Sequence, residues 1–136
     1  MRIFLDANIL FSAAKSEGAV RRLLDLLLAA GHECWADGYV AEEARRNLAA
    51  KAPGGLDALR RLLSRVRVAD AHPADTRMEV SSQLAEKDRP VLAAAMRLDC
   101  QALVTGDRTH FGAVYGKTLG GVTIHSPRSL AEALLK

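Results

Sequence analysis

Four acidic positions carry the chemistry available to this chain: Asp6, Asp88, Asp107 and one member of the pair Glu42 and Glu43. Asp6 ends an apolar run that starts almost at the N-terminus, and Asp107 follows a second such run through Gly106. Carboxylates gathered in one place repel one another, so a folded chain keeps them together by protonating some or by placing a cation among them. Oxygen ligands alone call for a hard ion, Mg²⁺ or Mn²⁺ rather than Zn²⁺. Such an ion generates a nucleophilic hydroxide and stabilises an oxyanion leaving group, and its natural substrate is a phosphodiester. One ion is enough for the first task, and two ions roughly 3.5 to 4 Å apart would allow an in-line displacement.

The acids act together only if the elements that carry them deliver them to one edge. Residues 2–5 read as a buried parallel strand that stops at Asp6, and residues 102–105 as a second strand that ends on Asp107. In an open α/β sheet, sites form outside the carboxyl ends of the strands. Asp88 precedes a helix over residues 90–98 with proline in its first turn. That helix runs against the strand it feeds, so its N-terminus lies at the same edge. Asp37 is a candidate N-cap for a helix over residues 39–50. At 100° per residue its apolar face centres on Val40, Ala41, Ala44 and Leu48, with Glu43 at the border beside Asn47 and Glu42 turned further toward solvent. Glu43 is the preferred fourth acid and Glu42 the alternative.

The remaining pattern supplies the frame. Val20, Leu23, Leu24, Leu27 and Leu28 predict a helix between Gly18 and Gly31, followed by a strand over residues 32–36. Pro53, Gly54 and Gly55 separate the helix over residues 39–50 from another over residues 56–64, and residues 66–69 follow as a short strand. His72 and Pro73 mark a turn, residues 77–84 a polar helix, and residues 112–121 a glycine-rich, loop-like stretch. Residues 122–124 form a short strand, and Ser126 with Pro127 opens a terminal helix. The alternation of strands and helices predicts a three-layer α/β/α sandwich around a largely parallel sheet of about five strands.

Composition narrows the alternatives. A chain of 136 residues, 49% hydrophobic and 26% charged, predicts one globular domain over residues 1–136. No apolar run approaches the roughly 18 residues that span a bilayer, and Asp6 interrupts any leader, so a cytoplasmic protein with no membrane partner is expected. Cys34 and Cys100 lie far apart among apolar neighbours and read as buried, reduced thiols rather than zinc ligands or a disulfide. Neither a Gly-x-x-x-x-Gly-Lys loop nor a Gly-x-Gly-x-x-Gly fingerprint is present, and no serine sits in a nucleophile elbow. His110 reads as an exposed loop residue, with substrate contact as the alternative. Arginines at 21 and 22, 45 and 46, 60 and 61, 65 and 67 would be solvated helix faces by default and a phosphate-tracking surface otherwise. The net charge of +3 comes from 19 basic and 16 acidic residues. With the four acids set aside in one pocket, the rest of the surface is distinctly basic, as suits a polyanion gripped outside and attacked inside.

The motifs resemble those of the PIN domain family, the metal-dependent ribonuclease fold that includes VapC-like toxins. Ile3-Phe-Leu-Asp-Ala-Asn-Ile-Leu10 resembles the first motif, with Asp6 as its acid and Asn8 as the accompanying amide. The segment from Tyr39 to Leu48 is similar to the second and assigns the acid to Glu43. The segment from Lys87 to Ala95 is similar to the third, giving Asp88, and that from Leu103 to Phe111 to the fourth, giving Asp107 with Thr105 as a supporting hydroxyl. The resemblance implies Asp6, Asp88 and Asp107 as metal ligands for Mg²⁺ or Mn²⁺, Glu43 completing the catalytic acids, and RNA as substrate. For toxin members it also implies a homodimer and an antitoxin protein that covers the site.

Two other readings compete. A PIN fold that binds RNA or protein without cutting would need no acidic set. A haloacid-dehalogenase-like phosphatase would want a second aspartate two residues after the first, where this chain has Asn8.

Overall fold

Short apolar runs bounded by polar residues form the strands, and segments with apolar residues at three- and four-residue steps form the helices. The computed structural model describes residues 1–72 and 89–135. In chain order it contains β1 (Arg2–Leu5), α1 (Ala7–Lys15), α2 (Ala19–Ala29), β2 (Glu33–Asp37), α3 (Gly38–Lys51), α4 (Leu56–Leu63), β3 (Arg67–Ala69), α5 (Arg89–Arg97), β4 (Ala102–Val104), α6 (Arg108–Phe111), β5 (Thr118–Leu119), β6 (Val122–His125) and α7 (Pro127–Leu134). The expected helix over residues 77–84, Pro73 of the expected turn and Asp88 lie outside the described residues.

The sheet has the order β3-β2-β1-β4-β6-β5, parallel throughout except for the pairing of β5 with β6. Helices flank it, giving the expected α/β/α sandwich with a largely parallel sheet. The sixth strand, β5, lies in the glycine-rich stretch read as loop. It is two residues long and holds its place through pairing with β6, which no local pattern announces. The same loop-like reading missed a 3₁₀ turn at Gly112–Val114.

The core follows the strands. Ile3, Phe4 and Leu5 on β1 and Ala102, Leu103 and Val104 on β4 are buried, as a parallel sheet covered on both faces requires. Around them pack Leu10, Leu24, Leu27, Leu48 and Leu92, all fully buried, each contributing about 1.5 to 3 kcal/mol by leaving water. Cys34 and Cys100 are buried and unpaired by disulfide, as expected. Burial pushes the Cys34 thiol up to about 11 and the Cys100 thiol up to about 12.

Gly55 seats α1 against α3. A Cβ there would meet the Ala14 carbonyl oxygen at 2.9 Å and Leu48 Cδ2 at 3.1 Å, so only glycine allows the approach.

Two features of this frame matter for chemistry. Strand β1 pairs with β2 on one side and β4 on the other, both parallel, so the chain winds away from β1 in opposite directions. The crevice beyond the carboxyl ends of β1 and β4 is therefore the switch point of the sheet, where open α/β folds place their ligands. Asp37 also caps α3 as expected: its carboxylate, 2% exposed, accepts from the Val40 amide at 3.1 Å.

Candidate active site

Asp6 follows β1 directly and is 6% exposed. Oδ1 accepts from the Ala7 amide at 2.8 Å and so caps α1. Capping accounts for one oxygen only. Oδ2 accepts from the Thr105 hydroxyl at 2.8 Å and from Asn8 Nδ2 at 3.2 Å. Three donors on one carboxylate fix its orientation.

Asn8 and Thr105 tie this carboxylate to the neighbouring strand. Asn8 Nδ2 also donates to Thr105 Oγ1 at 3.2 Å, while its Oδ1 accepts from the Gly106 amide at 2.8 Å. The position needs a donor and an acceptor on one short side chain, which an amide provides and a carboxylate does not. Thr105 is fully buried. Its hydroxyl donates once, to Asp6, and accepts twice, from Asn8 and from the Asp107 amide at 3.2 Å. Tyr115 donates its hydroxyl to the Thr105 carbonyl at 2.8 Å and completes the support. Burial raises the Tyr115 phenol above its ordinary value, Arg108 opposes that shift, and Asp107 and Asp6 add to it.

Asp107 caps α6 through Oδ1, which accepts from the His110 amide at 3.1 Å. Its Oδ2 lies 2.7 Å from His110 Nδ1. His110 is therefore not the exposed loop residue expected: it sits on a short helix, 27% exposed, against an acid. The cap at Asp107 turns the chain into a helix that runs of this length do not announce.

The carboxyl edge opens into a cavity of about 240 Å³ lined by Asp6, Asn8, Phe11, Glu43, Asn47, Lys51 and Asp107. Three of the four expected acids line it, and Asp88 lies outside the described residues. Glu43, Asn47 and Lys51 follow one another at four-residue steps along α3, so one stripe of that helix faces the cavity. Glu42 does not line it. Its carboxylate is held by Arg45, with Nε at 2.9 Å and a second guanidinium nitrogen at 2.5 Å, and that hydrogen bonding lowers its pKa below the ordinary carboxylate range.

Phe11, Asn47 and Lys51 were not singled out in the sequence. The four-residue steps from Glu43 to Asn47 and Lys51 are the signal that could have found two of them, and Phe11 lies one helical turn after Asn8.

The arginines are mostly engaged elsewhere. Arg21 donates to the Ala13 and Ala14 carbonyls, Arg45 pairs with Glu42, Arg60 with Asp57, Arg65 with Asp25 and Arg67 with Glu33.

Comparison with known proteins decides the family. A profile of the PIN domain matches residues 2–109. The chain belongs to the PIN domain family. Solved structures share the fold of this PIN domain at low sequence identity. VapBC2 from Rickettsia felis, bound to a DNA fragment from its promoter, superposes with a TM-score of 0.65 at 17% identity, covering 93% of this chain and 98% of that one. Mycobacterium tuberculosis VapC20, a toxin that cleaves the sarcin-ricin loop, gives 0.59 at 16% identity over 86% and 98% of the two chains. FitAcB from Neisseria gonorrhoeae gives 0.58 at 18% identity over 93% and 98%. No curated protein sequence matches the chain.

In donor chemistry the cavity of the PIN domain fits a hard cation, since carboxylate and amide oxygens line it and, among the described residues, its acids outnumber the lining cation, Lys51. Among the described residues no group of three or more His, Cys, Asp and Glu side chains comes close enough to hold a metal ion. The three carboxylates line the walls rather than meet at a point. Among the described residues no helix is long and apolar enough to cross a membrane.

Proposed function

We propose that this PIN domain is a Mg²⁺- or Mn²⁺-dependent endoribonuclease acting at the cavity beyond β1 and β4. The observation that carries the reading is that Asp6, Glu43 and Asp107, from three separate elements, line one cavity at the switch point of the sheet. Asp6 and Asp107, with Asp88, would hold the ion directly or through water, and Glu43 would complete the acidic set. When bound, the ion supplies a nucleophilic hydroxide and charge stabilisation for the departing oxygen. Asn8 and Thr105 hold Asp6 in one orientation, and the Asp6 carboxylate presents its charge to the cavity without rotating. His110 lies against Asp107 from the other side, its Nδ1 2.7 Å from Oδ2. Lys51 places a cation on the cavity wall, where it offsets part of the carboxylate repulsion and attracts a phosphate.

The test is cleavage of single-stranded RNA by the purified chain with Mg²⁺ or Mn²⁺. Asp6→Asn and Asp107→Asn are expected to abolish cleavage, as is chelation. Unaltered cleavage in either variant, or in chelator, overturns the assignment.

For partners we infer RNA as substrate and, by family, an antitoxin protein and a second copy of the chain, in the cytoplasm and away from membranes. Co-purification of a small protein encoded beside this chain, with loss of RNA cleavage in the complex, tests the first. Mass by light scattering tests the second, a monomeric mass overturning the homodimer.

A further inference from the structure

We propose that Phe11, with Lys15 and Lys51 beside it, forms a nucleobase subsite next to the carboxylates. The inference rests on the ribonuclease reading for its ligand, single-stranded RNA.

Among the described residues, Phe11 is the aromatic one that lines the acidic cavity. Of the three phenylalanines in the chain, Phe4 and Phe111 are fully buried in the core, whereas Phe11 packs on the core with one part and lines the cavity with the rest. An apolar ring left partly exposed in an otherwise polar, acidic cavity loses hydrophobic stabilisation that burial would have provided. A ring there gains it back when a flat, apolar ligand face covers it.

The surroundings specify the ligand. Lys15, one turn further along α1, holds its ammonium 5.8 Å from the Phe11 ring centroid, at the outer reach of a cation–π contact and exposed to solvent. Lys51, from α3, lines the cavity itself. One cation near the aromatic ring and another on the wall of the same cavity match the alternation of base and phosphate in a single strand, with the base on the ring and the neighbouring phosphates on the lysines. The subsite stacks any base, because every base has a π-face, and it reads no hydrogen-bond pattern. A phosphate beside a base held on Phe11 falls within the cavity that Asp6, Glu43 and Asp107 line. The ring therefore positions the strand for cleavage, and takes no part in the chemistry.

The experiment uses the full chain and a 2′-O-methyl trinucleotide in chelator, where cleavage stops; it carries one 2-aminopurine, and its middle base alone has a phosphate on each side. Binding is expected to quench the fluorophore at the middle position and not at either end, because only the middle base has a phosphate for each lysine. Phe11→Leu is expected to abolish that quenching and to weaken binding about tenfold or more, while Phe11→Trp keeps both. Lys51→Gln is expected to weaken binding and to flatten its dependence on salt.

Equal quenching at every position, or quenching that survives in Phe11→Leu, overturns the subsite. The scan needs no variant, so equal quenching at every position overturns the subsite even where Phe11→Leu does not fold. The two readings separate cleanly. Cleavage of ordinary RNA without position-dependent quenching overturns the subsite and leaves the nuclease. Position-dependent, Phe11-dependent quenching without cleavage overturns the nuclease and leaves the subsite.

Discussion

Thr105 donates its hydroxyl to Asp6 Oδ2 at 2.8 Å across 99 positions of the chain. The bond crosses from β4 to β1 at the point where the sheet reverses its order, and both partners are buried. It thus joins the core to the acid that the site turns on.

Replacing Thr105 by Val keeps the shape and removes the hydroxyl, leaving Asp6 without one donor and Asn8 and Asp107 without one acceptor. The expected cost is about 1.5 to 3 kcal/mol, the range for a hydrogen bond to a charged group. It is read as a fall in the urea midpoint at unchanged slope. Thr105→Ser, which keeps the hydroxyl, is expected to recover most of the bond.

Asn8→Asp tests the amide. The variant still accepts from the Gly106 amide but loses both donations and sets a second carboxylate against Asp6. A lower thermal midpoint and loss of RNA cleavage are expected. A variant as stable and active as the parent would show that the amide donations contribute nothing.

Neighbouring acids on one helix are expected to behave oppositely. Glu43→Gln, on the cavity wall, should lower cleavage by roughly a hundredfold with little change in melting temperature. Glu42→Gln, which breaks an exposed pair with Arg45, should leave both cleavage and melting unchanged. Kinetics on the two proteins side by side check the assignment.

Gly55→Ala should destabilise the fold without touching the acids. Its Cβ would meet the Ala14 carbonyl at 2.9 Å, a backbone atom that cannot step aside alone. Chemical denaturation is expected to show a loss of about 1 to 3 kcal/mol, as for other overpacked sites.

The cysteines predict a pH dependence. Both thiols are raised in the folded chain, from 9.0 to about 11 for Cys34 and about 12 for Cys100. The unfolded chain therefore releases these protons first. Their contribution to stability is complete below about pH 9 and is lost as pH climbs through 11 to 12. Denaturation across that window should fall less steeply in the Cys34→Ala, Cys100→Ala double variant. At neutral pH the native chain is expected to resist thiol reagents and to react at both cysteines once denatured.

Much of the frame was legible in local pattern. The apolar run from Ile3 to Leu5 and its stop at Asp6, the cap at Asp37 and the leucine spacing of α2 each specify an element within a few residues, because burial on one face repeats with the period of the element. Strand β5 and helix α6 were not legible. Two residues of strand and four of helix are too short to show a period, and they owe their shape to pairing with β6 and to the Asp107 cap.

The same division runs through the site. Residue type and position by themselves determined which carboxylates could meet, since a strand buried on both faces must deliver Asp6 and Asp107 to one edge. The helical spacing of α3 already favoured Glu43 over Glu42, and Glu43 does line the cavity; only the tertiary structure decided that His110 rests on Asp107 and that Phe11 and Lys51 join the acids. Those choices depend on how far each helix is turned as it packs on its neighbours. A helix's rotation is set by the fit of side chains distant in sequence, which no window along the chain contains.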